Sequence, residues 1–142
     1  MTTQESKTIT VSASVKAPVS KVWQCWNTPS DIIQWNTATP EWHTPKAEHD
    51  FRVGGKFKIR MEARDGSMGF DFEGVYDAVE LHKYIEYTIG DGRKVKIHFA
   101  EEDGETKIIE EFEAEDTNPL EMQRNGWQAI MDNFKKYVES KK

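Results

Sequence analysis

A carboxylate, Glu110, stands between Ile108 and Phe112 on the face of the last predicted strand that also carries Thr106. A strand sends alternate side chains to opposite faces, so Glu110 shares the apolar parity and points inward. A carboxyl group there is partly desolvated, which raises its pKa and suits it to accept a proton or anchor a ligand hydroxyl. The position fits equally a structural pairing with Tyr87, His43 or Gln123, or a bulge that turns the side chain outward. His43, beside Trp42 and before Pro45, falls in a predicted loop at the mouth of the fold. There it can hydrogen-bond a ligand, act as a base with Glu110, or stand in solvent as an ordinary loop histidine. Gln123 falls on the apolar side of a terminal helix, near its start, where it reads the polar end of a ligand or meets water.

Other chemistries find little support. Cys25, the single cysteine, lies in a predicted helix without a local histidine or basic residue, as a buried packing thiol does. His43, His49, His82 and His98 show no metal-ligand spacing, and the acidic turn Glu101–Glu105 lacks the calcium-loop pattern. No phosphate-cradling Gly-rich loop, nucleophile elbow or Cys-x-x-Cys pair occurs, so neither a metal nor another cofactor is expected. The net charge of −6 over 142 residues argues against a nucleic-acid partner. No apolar run approaches the ~18 residues of a membrane span. One cysteine, and an N-terminal stretch without a signal-like apolar core, favour a cytoplasmic location.

The elements that must position these residues follow from periodicity and turns. Lys7–Lys16 alternates as a half-buried strand, with Ile9, Val11, Ala13 and Val15 on one face. Pro18 opens a helix whose apolar face is Val19, Val22, Trp23 and Trp26, and a second short helix carries Ile32, Ile33 and Trp35. Residues 36–46, with two prolines, read as a loop and a route of ligand entry. From Ala47 onward strands alternate, turning at Asp65-Gly66, Asp91-Gly92 and Asp103-Gly104, pairs suited to tight hairpins. Phe57, Ile59 and Met61 face inward because the opposite parity is charged. Phe70, Phe72 and Tyr76 do so on the next strand, where Val75 and Val79 break parity and suggest a bulge. Ile85 and Tyr87, then Ile97 and Phe99, continue the inner face, ending at Glu110 and Phe112. Asn118-Pro119 opens a terminal helix of about 20 residues, ~30 Å long, with Trp127, Ile130, Met131, Phe134 and Val138 on one stripe. Glu121, Gln128, Asp132 and Lys135 lie opposite.

Six or seven strands at ~4.8 Å each span roughly 30 Å, whereas a helix is only about 10–12 Å across. The sheet must therefore curl around the helix, and a curled sheet readily leaves a hollow. The expectation is a single α+β domain over 1–142, with an ordered core at about 8–139.

The order strand, two helices, six strands, long helix carries recognisable local words. Trp23, Trp26 and Trp35, the run Asp50-Phe51-Arg52-Val53-Gly54-Gly55-Lys56-Phe57, Phe72-Glu73-Gly74 and Asn125-Gly126-Trp127 resemble the family named for the activator of heat-shock protein 90 ATPase. That family lies within the START-like, helix-grip superfamily, and the resemblance runs from about Ile9 to Val138. It implies a curved antiparallel sheet gripping the last helix around an apolar cavity, but no single reaction. On this basis the cavity binds a hydrophobic small molecule, lipidic or aromatic. Walls come from Phe57, Ile59, Met61, Phe70, Phe72, Tyr76, Ile85, Tyr87, Ile97, Phe99, Phe112, Trp127 and Met131. Trp42, His43, Glu110 and Gln123 stand at the mouth or supply polar contacts. Two alternatives stay open: a cyclase- or hydrolase-like enzyme using Glu110 with His43, or a chaperone-binding module. The second domain that accompanies this one in eukaryotic activators has no counterpart in these residues.

Overall fold

The computed structural model describes residues 8–37, 39–115 and 118–141, so Lys7, the expected start of the first strand, lies outside it. In chain order the elements are β1 (Thr8–Val15), α1 (Val19–Asn27), α2 (Pro29–Trp35), β2 (Trp42–His49) and β3 (Lys56–Ala63). They continue with β4 (Gly69–Glu80), β5 (Tyr84–Ile89), β6 (Lys94–Glu102), β7 (Glu105–Glu113) and α3 (Leu120–Ser140). β2 to β7 form an antiparallel meander, and β1 adds beside β7, giving the order β1-β7-β6-β5-β4-β3-β2. At the β6–β7 turn both central residues take positive φ, Asp103 at 54° and Gly104 at 79°. That is the geometry whose twist matches paired strands, and why Asp-Gly is found there.

The sheet curls as its width requires. From α3, Trp127 stacks on Phe112 of β7 at 3.8 Å between ring centroids and also meets Phe72 of β4 edge-on at 6.2 Å. The same helix bonds the outer edge of β1, so one rod touches strands far apart in sheet order only because the sheet bends around it. The α+β helix-grip architecture follows.

Two local expectations are corrected, and a third feature adds to the sequence reading. Residues 42–46 are not loop: they form the first half of β2. Proline is tolerated there because β2 is an edge strand, and its register shifts between His43 and Lys46, the interval that contains Pro45. The terminal helix starts at Leu120, and Asn118 gives it no side-chain cap. Instead the Gln123 amide reaches back and bonds the chain before the helix. Finally, the polar face of α3 is not simply solvated. Gln128 accepts from the Ser12 N–H (3.3 Å) and donates to the Ser12 carbonyl (2.9 Å), pairing with β1 as a neighbouring strand would. Glu139 takes the Lys16 N–H at 2.9 Å, and Lys135 donates to the Ser14 carbonyl. These contacts cover an edge that would otherwise be open to another chain. The parity break at Val75 and Val79 is a register shift between Tyr76 and Ala78.

The core divides into two halves. Where α1 and α2 cross, Trp26 and Trp35 close on Phe134, each at 4.8 Å, and Trp23 and Trp26 enclose Phe99 at 5.1 and 5.7 Å. This half is filled with aromatic rings meeting edge to face. The half beneath the first turns of α3 is not filled.

Candidate functional site

Between the concave face of the sheet and α3 lies a hollow of about 300 Å³. From β3 it is lined by Phe57, Ile59 and Met61, and from β4 by Phe70, Phe72 and Tyr76. Ile85 and Tyr87 of β5 and Glu110 of β7 continue the wall, and Trp127 with Ile130 of α3 close it. Alternation accounts for this. Each sheet residue sits on the parity read from the sequence, and register brings Ile85, Ile97 and Glu110 into one row across β5, β6 and β7.

The remaining residues singled out from the sequence stand elsewhere. Ile97 and Met131 are fully buried core, and Phe99 is enclosed by the tryptophans of α1. Phe112 is shielded by the stacked Trp127 ring. Trp42 stands outside the main hollow, against Phe70 at 5.9 Å, where it lines an outer vestibule of about 240 Å³. Gly126 lines this vestibule too, and Asn36, Met61, Phe70, Trp127 and Ile130 belong to both spaces. His43 faces Glu62 at 3.6 Å, half-exposed and away from Glu110, so the structure does not assemble the pair an acid–base mechanism needs. Gln123 is occupied: its Oε1 accepts from the Glu115 N–H (2.9 Å) and its Nε2 donates to the carbonyls of Asn118 (2.8 Å) and Glu115 (3.2 Å). It holds the approach to α3 and is not part of the lining.

Sequence reading missed the contribution of the helices and turns. Trp26, Asn27, Ile32, Trp35 and Asn36 roof the hollow from α1 and α2, and Arg93 and Glu115 border it. The helical apolar face was visible, but which part of it packs and which borders empty space is a tertiary matter. Asn36 gave one weak signal, a polar residue ending the run Ile32-Ile33-Gln34-Trp35. Its backbone caps α2 by donating to the Ile32 carbonyl, and its own carbonyl accepts the Thr44 hydroxyl at 2.9 Å, tying α2 to β2. Its side-chain Nδ2 is buried and has no hydrogen-bond partner among the described residues.

The polar groups of the hollow are unequally engaged. Tyr76 bonds His49 Nδ1 at 2.8 Å, and burial lowers the His49 pKa. Arg93 gives its Nε to Asp91 at 2.7 Å and its Nη1 to the Glu113 carbonyl at 3.2 Å. Glu110 is 6 % exposed, and burial alone pushes its pKa up to about 8, with no hydrogen bond or cation offsetting it. The Tyr87 hydroxyl is raised well above its ordinary value, by burial first and then by the Glu110 charge. Near neutral pH Glu110 is therefore a neutral acid. Cys25 is buried with its thiol pKa raised, first by desolvation, which disfavours the nucleophilic thiolate.

No helix among the described residues is long and apolar enough to cross a membrane. The model of the family described as Activator of Hsp90 ATPase homolog 1-like protein matches residues 16–139. Among solved structures, the AHSA1-like protein from Aeromonas hydrophila is 42 % identical at a TM-score of 0.89, over 94 % of this chain and 93 % of that one. A solution structure from Cytophaga hutchinsonii is 53 % identical at a TM-score of 0.82, over 92 % and 91 % of the two chains. A Chromobacterium violaceum protein shares the fold at 24 % identity and a TM-score of 0.85, over 95 % and 99 %. Among curated proteins there is no match.

Proposed function

Because the chain belongs to the activator of Hsp90 ATPase homolog 1-like family, which fixes a fold and not a reaction, we propose that it is a receptor for a hydrophobic small molecule, lipidic or aromatic. One observation carries this reading: in an interior otherwise packed ring against ring, about 300 Å³ beneath Trp127 is left unfilled. Protein interiors normally pack densely, and a void forfeits the contacts its lining would otherwise make. A concave, mostly apolar space with a few polar groups is the usual form of a small-molecule site.

The energetics are modest. Burying ~200 Å² of apolar ligand at about 25 cal/mol/Å² contributes ~5 kcal/mol before ordering costs, so apolar contact alone supports binding no tighter than about 0.2 mM. Tighter binding needs the polar groups. The vestibule between Trp42, Phe70 and Gly126 is the entrance, and Phe70, 47 % exposed, stands at its rim.

The test is an NMR titration with a panel of lipids and polyphenols. The expected result is shifts confined to Phe72, Tyr87, Glu110, Trp127 and their neighbours. A panel in which no compound moves any of these would end the receptor reading.

A further inference from the structure

Three hydrogen-bonding groups border the hollow without a side-chain hydrogen bond among the described residues. Asn36 Nδ2 is buried and unpaired among the described residues. The Tyr87 side chain is buried, and nothing among the described residues hydrogen-bonds its hydroxyl. Glu110 has neither a cation nor a hydrogen-bond donor to hold an ionised form. Arg93, the one cationic side chain in the lining, is taken by Asp91 and the Glu113 carbonyl. An unpaired buried polar group costs roughly 1–3 kcal/mol, so the Asn36 amide is explained best by a partner supplied from outside the chain, and Tyr87 and Glu110 border the same hollow.

All three groups can donate, although the phenol and the acid also accept. An amide N–H, a phenol and a carboxylic acid are all donors, and a protonated acid beside a phenol in an apolar cavity is an arrangement that holds a polarised oxygen. We propose that the ligand carries a hydrogen-bond acceptor of the carbonyl type, presented to Asn36, Tyr87 and Glu110, and that carboxylates are discriminated against. This deepens the receptor reading and rests on it. A carboxylate ligand would meet two acidic residues, Glu110 and Glu115, with the only lining cation already paired.

Glu110 also makes the preference sensitive to pH. The other titratable groups of the hollow are Tyr76 and Tyr87 from β4 and β5, Arg93 from the β5–β6 turn, and Glu115 beyond β7. The lining residues from α1, α2 and α3 carry none. Below pH 8 the acid is protonated and donates; above it the carboxylate repels a carbonyl oxygen.

The experiment uses four probes on one hydrocarbon frame with the whole chain: acetylnaphthalene, naphthoate, naphthylmethylamine and ethylnaphthalene, each followed by calorimetry or NMR at pH 6.5 and pH 9. At pH 6.5 the ketone is expected to bind about tenfold tighter than ethylnaphthalene, the amount one or two net hydrogen bonds provide. Naphthoate binds more weakly than the ketone, and ketone affinity falls several-fold at pH 9. Glu110→Gln, which keeps a donor, retains ketone binding and loses the pH dependence. Asn36→Ala lowers the ketone preference without weakening ethylnaphthalene. If ethylnaphthalene binds as tightly as the ketone, or naphthoate or the amine binds best at pH 6.5, the acceptor proposal is overturned while the receptor reading stands. If none of the four binds, both fall together.

Discussion

Glu110 shows how a single buried group ties stability to pH. Its pKa is about 8 in the fold and near the ordinary carboxylate value when unfolded. The folded state therefore holds a proton that the unfolded chain releases across the interval from about pH 4.5 to 8. Linkage gives the sign: stability from this group is fully present below the unfolded value and declines as pH rises toward 8. Glu110→Gln has no such dependence. The variant is expected to match the wild type near pH 4 and to exceed it at pH 7, by on the order of 3 kcal/mol at most. Chemical denaturation at the two pH values measures this, and an unchanged difference would mean that the carboxyl is solvated. Gln123 is the contrasting residue. Its amide bonds three backbone groups before α3, all in part-buried bonds, so Gln123→Ala removes those bonds and is expected to cost about 0.5–1.5 kcal/mol. Ligand affinity should not change, because the side chain does not line the hollow. A ligand-reading glutamine would show the opposite pattern.

Among the elements, α3 does two jobs on different faces. Its apolar stripe closes the interior with Trp127, Met131, Phe134 and Val138, while Gln128, Lys135 and Glu139 bond backbone groups at or just beyond β1. Gln128 satisfies both backbone groups of Ser12, acting as a short substitute for a missing strand. Gln128→Leu should leave the Ser12 backbone groups hydrogen-bonded only to water. The contacts are exposed, so the expected loss of stability is small, about 0.5–1 kcal/mol. The sharper readout is amide exchange: Ser12 should exchange faster by several-fold while amides of β6 stay unchanged. The far end of α3 is tied to α2, where buried Asp31 accepts from Tyr137 and pairs with Lys141 at 2.5 Å. Both ends of the helix are thus anchored, and the sheet is held at its curvature.

At the scale of the whole molecule, the proposed entrance is the vestibule where the end of α2, β2, β3, β4 and α3 converge. Gly126 sits there inside a helix, with nothing within 4 Å of where its Cβ would lie. Packing does not demand glycine at this position, and glycine in a helix is about 1 kcal/mol less favourable than alanine. Gly126→Ala is therefore expected to raise stability by up to about 1 kcal/mol with ligand binding intact. Gly126→Leu should narrow the vestibule and slow ligand uptake several-fold, with less effect on equilibrium affinity; stopped-flow fluorescence of the neighbouring Trp127 reports the rate. Equal uptake rates in wild type and Gly126→Leu would move the entrance elsewhere.

Local chemistry written in the chain determined the strands, the turns and the inward parity. The alternation of Phe57, Ile59 and Met61 against Lys58, Arg60 and Glu62 allows one inner face, and Asp103-Gly104 supplies the backbone angles of its hairpin. The inward aim of Glu110 follows from the same period of two, because a strand's facing depends only on near neighbours. Where the prediction failed, distant contacts decided. Pro45 resembles a loop residue until its strand is seen to lie at the edge of the sheet, where a missing N–H does no harm. Phe99 and Phe72 share one pattern in sequence, yet Phe99 is enclosed by the tryptophans of α1 while Phe72 borders open space. Only the tertiary structure separated filled core from hollow, and left the Asn36 amide nitrogen without a partner among the described residues. A void depends on the mismatch between surfaces contributed by segments far apart in the chain, and no periodicity within one segment records it.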